Sequence, residues 1–497
     1  MFAMRGDEML IADWLARWRD YEPEREALFD AASGRRYSYR DLADAMDRQC
    51  AWLDASGVGA GERIAVLAVN HPETVTLLFA CARLGCIMVP LNYRLTAAEL
   101  NPILADAEPV WLLHDAAHAA FVASLELPAG CRSGKLADAN HAGRAADRPL
   151  PDAEQPLLIL YTSGTTGRPK GVLQSQRMIT WNAINTAVTW DLSGTDCALV
   201  HTPFFHTGGL HVLTTPLLQR GGRLVLLPLF EPQTALQLVE QERVTILFAV
   251  PTMFQMMLAC EAFARCDLSA LRFCISGGAP CPTALIEAYQ ARGLVFKQGY
   301  GLTEAGPNCF TLHQRDAVPR IGSVGRPNFY TEARVVNAAG EPVAAMQVGE
   351  LWLAGPTLCS GYWRNPDASA QLFAGCWLRT GDLVRMDADG YCFVVDRKKD
   401  MYISGGENVY PAEVEAVLLQ HPAVGEAAVI GVPHAKWGEV GEAHVVLRDG
   451  CVCSGEQLLA FAGERLARYK LPQHIVFSQQ GLPRTPTGKI RKNLLRG

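Results

Sequence analysis

At 497 residues the chain is too long for a single hydrophobic core, so two to four compact units are expected. Its residues are 49% hydrophobic and 19% charged, which excludes a disordered or low-complexity protein. A net charge of −6 and a pI near 6.1 argue against a surface for nucleic acid or anionic membrane, leaving small molecules as the natural partners.

In chain order, Met1 to Leu10 mixes Arg5, Asp7 and Glu8 with apolar residues and lacks the uninterrupted apolar run of a secretory signal. Arg63 to Val69 is strand-like, Pro72 to Leu84 carries a helical pattern stopped by Gly85, and Ile87 to Pro90 is a second apolar run; together they predict a βαβ unit. Between Asp106 and Pro156 the sequence is rich in Ala, Asp and His with little periodicity, and irregular surface structure is expected. Leu157 to Leu160, bounded by Pro156, predicts a buried strand delivering the loop Tyr161-Thr162-Ser163-Gly164-Thr165-Thr166-Gly167-Arg168-Pro169-Lys170-Gly171. Glycines at 164, 167 and 171 let backbone N–H groups approach a ligand, hydroxyls at 162, 163, 165 and 166 add donors, and Lys170 adds positive charge, which makes a phosphate cradle. It is not a Walker A loop: Pro169 stands where the second glycine is needed, and Gly171 where Ser or Thr should follow the lysine.

Cys197 to Gln219 is free of formal charge but broken by histidines, prolines and Gly208-Gly209, so it predicts no membrane span. Val244 to Cys260 reads as a strand, a Pro-Thr turn and an apolar helix. Glycine turns follow strands at Ser276-Gly277-Gly278-Ala279-Pro280 and at Gly299-Tyr300-Gly301-Leu302-Thr303-Glu304. Such turns sit where open α/β sheets bind ligands. Gly299 and Gly301 let backbone run flush against a flat ring or an acyl chain, while Glu304 offers a hard oxygen to Mg2+ on nucleotide phosphates. Trp377 to Asp382 ends in a carboxylate suited to ribose hydroxyls, and Asp389-Gly390 predicts a hairpin turn between Leu383 to Met386 and Tyr391 to Val395. After the charged run Asp396-Arg397-Lys398-Lys399-Asp400 the chain becomes a small α+β unit. It has a turn at Ser404 to Asn408, a helix over Pro411 to Gln420, strands over Ala427 to Val432 and Ala443 to Leu447, and Trp437 on a loop. The fifteen cysteines are scattered and lack a C-x-x-C pair, so reduced thiols are expected.

Taken in order, these motifs resemble those of the adenylate-forming superfamily: acyl- and aryl-CoA ligases, adenylation domains of peptide synthetases, and luciferases. The phosphate loop is similar residue for residue. Val89-Pro90-Leu91-Asn92, Tyr300-Gly301-x-Thr303-Glu304, Thr380-Gly381-Asp382 and Pro483-x-Thr485-x-x-Gly488-Lys489 stand at the matching places, and the likeness runs over nearly the whole chain. It implies an α/β fold with a large multi-subdomain N-terminal domain of βαβ sheets over 1–395, a hinge at 396–400 and a small mobile α+β C-terminal domain over 401–497. It also implies an AMP-forming carboxylic acid–CoA ligase using ATP, Mg2+ and CoA, in which the acid is joined to AMP and then handed to the CoA thiol.

The resemblance assigns residues as well. ATP and AMP would be held by Thr162, Ser163, Gly164, Thr165, Thr166, Gly167 and Lys170, by Gly278, Ala279 and Pro280, by Tyr300 and Gly301, and by Asp382 and Arg397 at the ribose. Thr303 and Glu304 would face the phosphates, with Glu304 on the metal. A lone histidine among apolar residues is more often a core residue, but His206 beside Gly208-Gly209 looks like the gate between the acyl, CoA and nucleotide pockets. The acyl pocket would be lined by His206, Asn185, Gly278, Gly299, Gly301, Pro307 and Asn308. Gly405, Gly406 and Trp437 would bind CoA, Lys399 would be the backbone pivot, and Lys489 would neutralise the carboxylate and α-phosphate as they approach. Amino-acid-activating relatives carry an aspartate after the Phe at position 205; its absence here favours a fatty or aromatic acid. Many members have Asp where this chain has Lys399. A cytoplasmic enzyme is implied, and a homodimer is among the assemblies allowed. The alternatives are a stand-alone adenylation enzyme loading a carrier protein, a non-catalytic ATP-binding regulator and a luciferase-like oxidase.

Overall fold

The computed structural model describes residues 11–143, 150–162, 169–279, 281–404, 407–485 and 488–495. The chain divides into two compact units: one runs to Ile321 and adds Arg326–Glu332 and Leu353–Leu378, and the other comprises Gly322–Gly325, Ala333–Trp352 and Arg379 onward.

The first unit is built on two large sheets. One has seven strands in the order Gly361–Tyr362, Lys170–Ser175, Pro156–Thr162, Ile87–Pro90, Arg63–Leu67, Trp111–His114, Arg132–Lys135. The other has nine, with parallel strands Phe296–Leu302, Phe273–Ser276, Ile246–Ala249, Cys197–Val200, Arg223–Leu226 and Glu26–Asp30 in sequence, edged by Gly306–Thr311 and Arg326–Pro327 on one side and Arg35–Ser38 on the other. Short runs such as Ile246-Leu247-Phe248-Ala249 are apolar at every position because parallel strands are covered on both faces. The main core lies between the sheets: Ile64, Val66 and Leu158 from one and Ala198, Ile246 and Ile275 from the other meet Phe79, Ile179 and Ala183 of the helices Pro72–Leu84 and Gln176–Trp190. Leu236, Phe254 and Ile286 cover the outer face of the nine-stranded sheet, and Leu100 and Leu104 that of the seven-stranded one.

The predicted βαβ unit is present. Pro72 opens the helix at its first turn and Gly85, at φ 73°, closes it in the left-handed conformation that only glycine adopts without strain. The strand over Pro156–Thr162 is two residues longer than expected at its C-terminal end and runs into the phosphate loop. The expectation of irregular structure over 106–156 is corrected: Trp111–His114 and Arg132–Lys135 extend the sheet in parallel pairs. Their four-residue length, with only Trp111-Leu112-Leu113 apolar in one and none in the other, carries too little periodicity to read.

In the second unit, strands Glu407–Val409, Tyr402–Ser404, Gly438–Leu447 and Val424–His434 form a sheet with His474–Phe477 beside Gly438–Leu447. Val414 and Leu418 of the helix Pro411–Leu418 and Leu458 of the helix Gly455–Gly463 pack on Val429 and Val445. The two strands predicted separately are a single long hairpin, Val424 pairing with Leu447 and His434 with Gly438. The Asp389-Gly390 turn is also found, with Gly390 at φ 83° and Asp382 opposite Arg397 across the hairpin. Among the described residues, no helix is long and apolar enough to cross a membrane.

Gly301 shows what a glycine does in this fold. A Cβ there would run into the backbone carbonyl of Pro307 on the neighbouring strand, so its missing side chain makes room for protein rather than for a ligand. Gly301→Ala is expected to push apart the hairpin that ends in Glu304, at a cost of about 1–3 kcal/mol. Thermal unfolding checks it: a variant that melts with the native protein removes this close approach as a constraint.

Candidate active site

The phosphate-loop strands are antiparallel, Thr162 opposite Lys170, and the loop between them is Ser163, Gly164, Thr165, Thr166, Gly167 and Arg168, with Pro169 leading back into the strand. Ser163 to Arg168 lie outside the described residues, as do Pro280, Gly405 and Gly406. Gly171 is required where the loop returns, since a Cβ would collide with Ile159 and stand 3.2 Å from Tyr161. Lys170 places its ammonium 5.1 Å from the ring centroid of Tyr362. The hydroxyl of the same tyrosine donates to Glu304 Oε1 at 3.0 Å. Tyr362 reaches this position because Gly361–Tyr362 pairs with the strand Lys170–Ser175, Tyr362 opposite Val172. Burial and the neighbouring Glu304 carboxylate push its phenol well above the usual range, so it stays a donor.

The turn holding Thr303 and Glu304 is pinned at three points. Buried Gln174 donates to the Thr303 carbonyl at 3.0 Å, the Cys359 N–H donates to the Glu304 carbonyl at 2.8 Å, and Ala305 N–H closes the turn on Leu302. Glu304 is thus held at a strand end on a rigid backbone, one step from the lysine of the phosphate loop.

A second gathering surrounds Phe248. Cβ atoms on Gly208 and Gly277 would stand 3.5 and 3.3 Å from its ring, and the one on Gly277 would also stand 3.6 Å from the Gly299 carbonyl. The turns at 206–209 and 276–278 therefore meet at one aromatic side chain, with the Gly299 carbonyl beside the second. His206 lies against Phe205, 4.4 Å between centroids with the rings tilted by 54°, and burial with Arg94 nearby pushes its imidazole down to about 4, so it is neutral at pH 7. Its Nε2 is buried and has no hydrogen-bond partner among the described residues. Gly278 turns at φ 81° ahead of Ala279, and Tyr300 packs edge-on to Phe310 at 5.7 Å.

The acyl-pocket expectation needs refinement. Asn185 is fully buried with both ends of its amide engaged: Nδ2 donates to Thr331 Oγ1 at 3.0 Å, and Oδ1 accepts from Tyr330 N–H at 2.9 Å. It orders the segment 328–331 instead of facing a ligand. Asn308 Nδ2 donates to Thr186 Oγ1 at 2.8 Å and to the Val212 carbonyl at 3.1 Å, and Gly301 is filled by the Pro307 backbone. A Cβ on Gly299 would stand 3.1 Å from Ile275 and 3.4 Å from the Phe310 carbonyl, and Trp181 stands edge-on to Tyr330 at 5.1 Å.

In the second unit Arg397 Nε lies 2.9 Å from Asp382 Oδ1, and the Asp382 N–H is held by Thr380 Oγ1 at 3.1 Å. Lys489 shares this neighbourhood: desolvation, with repulsion from Arg397 and Lys399, pushes its ammonium down to about 8 against the pull of Asp382 and Asp400. More than a third of the residue remains solvent accessible, so the crowding is local to this cluster of charges. Thr485 and Lys489 are bonded to each other in both directions, Thr485 N–H to the Lys489 carbonyl at 2.6 Å and Lys489 N–H to Thr485 Oγ1 at 3.1 Å. Lys399 lies in the turn after the strand Cys392–Arg397. Just before it, Asp396 accepts from Ala412 N–H at 2.8 Å and caps the helix Pro411–Leu418. Trp437 is 43% exposed at the tip of the long hairpin with the Lys436 ammonium 4.7 Å over its ring, so it is not a core residue.

Among the described residues no three His, Cys, Asp or Glu side chains group to hold a metal. A single oriented carboxylate suits Mg2+, which keeps waters and takes its other ligands from phosphates, so Glu304 fits that ion and not a structural zinc. Tyr362 and Phe248 were missed in the sequence: Tyr362 sits in a two-residue strand, and Phe248 is one more apolar residue in an apolar run.

Residues 15–363 match the AMP-binding enzyme family, and residues 413–489 match the AMP-binding enzyme C-terminal domain. The chain is 42% identical over 492 residues to a feruloyl-CoA synthase of an Amycolatopsis species, covering 98% of each, and 38% identical over 501 residues to an indoleacetate–CoA ligase of Aromatoleum aromaticum, again covering 98% of each. It superposes with a TM-score of 0.88 on the o-succinylbenzoate CoA synthetase of Bacillus subtilis in complex with its acyl-adenylate intermediate, at 32% identity over 98% of both chains. That synthetase has also been solved with ATP and a magnesium ion.

Tyr362→Phe keeps the ring beneath Lys170 and removes the hydroxyl that orients Glu304. Calorimetric titration is expected to give about 10-fold weaker binding of Mg2+-ATP or more, with metal-free ATP much less affected; equal loss for both would mean that Tyr362 does not act through Glu304.

Proposed function

The chain belongs to the AMP-binding enzyme family and is an AMP-forming acid–CoA ligase working with ATP, Mg2+ and CoA on a fatty or aromatic acid, and from that premise we propose an aromatic acid as its substrate and a role for each site residue. What supports the choice of acid is a wall of aromatic side chains, Phe248 against Gly208 and Gly277 and Trp181 edge-on to Tyr330. Such a wall suits a flat ring, and two of the relatives are named for aromatic acids.

The chemistry is limited by charge. A carboxylate oxygen must attack the α-phosphorus of ATP, forming a C–O–P linkage while pyrophosphate leaves with the bonding pair. Two anions approach, so catalysis is neutralisation and alignment. Lys170 and the loop hydroxyls and N–H groups hold the phosphates, Glu304 takes a place on Mg2+, and Asp382 with Arg397 holds the ribose. Lys489 offsets charge between the carboxylate and the α-phosphate. Neutral His206 keeps the passage between acid and thiol closed to water without adding a cation. In the second half-reaction the CoA sulfur attacks the acyl carbonyl and AMP leaves with its oxygen, so no side chain is acylated.

Two reactions with different second substrates in one site call for rearrangement. The pivot is placed at Lys399, with Lys489 serving adenylation and the face carrying Trp437 serving CoA. Cytoplasmic location is proposed on the supply of ATP and CoA there, and all fifteen cysteines are free. A homodimer is proposed with it.

Lys489→Ala is expected to slow acid-dependent pyrophosphate release by about 100-fold or more and to leave thioester formation from synthetic acyl-AMP and CoA near normal; equal loss in both steps would sink the division of labour. The pH profile gives an independent test. Lys489 acts as the ammonium and its folded value is lowered to about 8. Adenylation should therefore be level below that pH and fall as pH rises through it, a limb that Lys489→Arg should move upward.

Lys399→Pro fixes one backbone torsion and restricts the residue before it. Single-turnover assays should show adenylation retained and CoA transfer lost, while Lys399→Ala runs both. A proline variant that runs both steps at normal rates would move the pivot elsewhere.

A further inference from the structure

Arg177 stands at the wrong end of its helix. It is the second residue of Gln176–Trp190, whose first turn carries no acidic residue, and the N-terminal end of a helix favours anions and disfavours cations. Its side chain instead leaves the helix to grip a neighbouring segment. Nε donates to Glu154 Oε1 at 2.5 Å, Nη1 donates to the Pro356 carbonyl, and Nη2 donates to the Leu358 carbonyl at 3.3 Å. The side chain is 25% exposed, so these bonds are made partly out of water. A planar guanidinium can bridge two carbonyls that lie two residues apart, a fit that the compact ammonium of a lysine does not reproduce.

The segment so gripped is the one that holds Glu304. Residues 355–360 belong to no helix or strand and lead directly into Gly361–Tyr362, with Thr357, Leu358 and Cys359 buried. Cys359 N–H donates to the Glu304 carbonyl at 2.8 Å and Ser360 N–H to the Leu173 carbonyl at 3.0 Å, while a Cβ on Gly306 would stand 3.5 Å from that of Thr357. Two residues beyond Ser360, Tyr362 donates to Glu304 Oε1. Glu304 is therefore held at its backbone by Cys359 and at its carboxylate by Tyr362, and both come from one short irregular stretch. Such a stretch has no ladder of its own to fix its carbonyls, and the Arg177 fork supplies the donors. The Cys359 thiol registers both charges: burial and the Glu304 carboxylate push it up to about 12, against the pull of Arg177.

We infer that Arg177 is a positioning residue for Glu304: by fixing the carbonyls of Pro356 and Leu358 it sets the Cys359 N–H and the Tyr362 hydroxyl that orient the carboxylate, and so sets how tightly the site takes Mg2+ with ATP. This rests on the place proposed above for Glu304 on Mg2+. A carboxylate free to turn meets the ion in only some of its orientations, and losing an outer partner of a metal ligand typically costs about 10- to 100-fold in metal affinity.

The test is calorimetric titration of the full chain with Mg2+-ATP and with metal-free ATP, in the native protein, Arg177→Met and Arg177→Lys, with thermal unfolding confirming that each variant is folded. Arg177→Met should bind Mg2+-ATP about 10-fold more weakly and metal-free ATP nearly as the native protein does, a split that a merely structural role would not produce. Arg177→Lys, which keeps the charge and a donor, should fall between. In a Glu304→Gln background Arg177→Met should add little, because both act on the same carboxylate. Native Mg2+-ATP affinity in folded Arg177→Met, equal weakening with and without the metal, or a fully additive loss on Glu304→Gln overturns the inference while leaving Glu304 on the metal. Should Arg177→Met not fold, native affinity in Arg177→Lys overturns it in the same way. If Glu304→Gln itself keeps the native difference between Mg2+-ATP and metal-free ATP, the place of Glu304 fails and this inference with it.

Discussion

A lysine and a glutamate proposed to serve the nucleotide are both held by one tyrosine. Lys170 stands over the ring of Tyr362 and Glu304 accepts from its hydroxyl. A direct ion pair between the two charges would leave less of either for phosphate or metal. The ring also gives the ammonium a weakly attractive face that a phosphate can outcompete, since a cation–π contact is worth only about 0.5–2 kcal/mol. The rest of the first unit serves this spacing. The pairing of Gly361–Tyr362 with the phosphate-loop strand sets the tyrosine, and Gln174 and Cys359 set the glutamate by its backbone.

The second unit repeats the theme with a different balance. Asp382, Arg397, Lys399, Asp400 and Lys489 form a cluster in which positive charges outnumber negative ones, and the Lys489 proton is loosened by desolvation and by repulsion from Arg397 and Lys399. The role proposed for Lys489, to offset a developing charge and then leave, suits a residue weakly held over one locked in an ion pair. Asp396 ties the strand before Lys399 to the helix after it, so the segment proposed as the pivot lies between fixed points.

Much of this was legible in the sequence because the site is made of turns after strands. Gly85 ending a helix and Gly390 in a hairpin each require a backbone that other residues resist, the glycines at 208, 277 and 299 lie where a Cβ would press on a neighbour, and both requirements are written in residue type. What could not be read was tertiary. Tyr362 and Phe248 act through what lies next to them in space, and nothing in Ser-Gly-Tyr-Trp or Ile-Leu-Phe-Ala marks them. Asn185 and Gly301 misled for the same reason: a polar residue and a small one beside a pocket suggest a ligand contact and open space, yet one is consumed by Thr331 and Tyr330 and the other by the carbonyl of Pro307.

The central claim is that the acid's own oxygen attacks the α-phosphorus. Turnover of a carboxylic acid labelled with 18O in both oxygens, with ATP, Mg2+ and CoA, tests it by mass spectrometry of the released nucleotide. The account predicts one labelled oxygen in AMP and none in pyrophosphate. Label in an inorganic phosphate product with ADP released, or unlabelled AMP accompanying thioester, would contradict it.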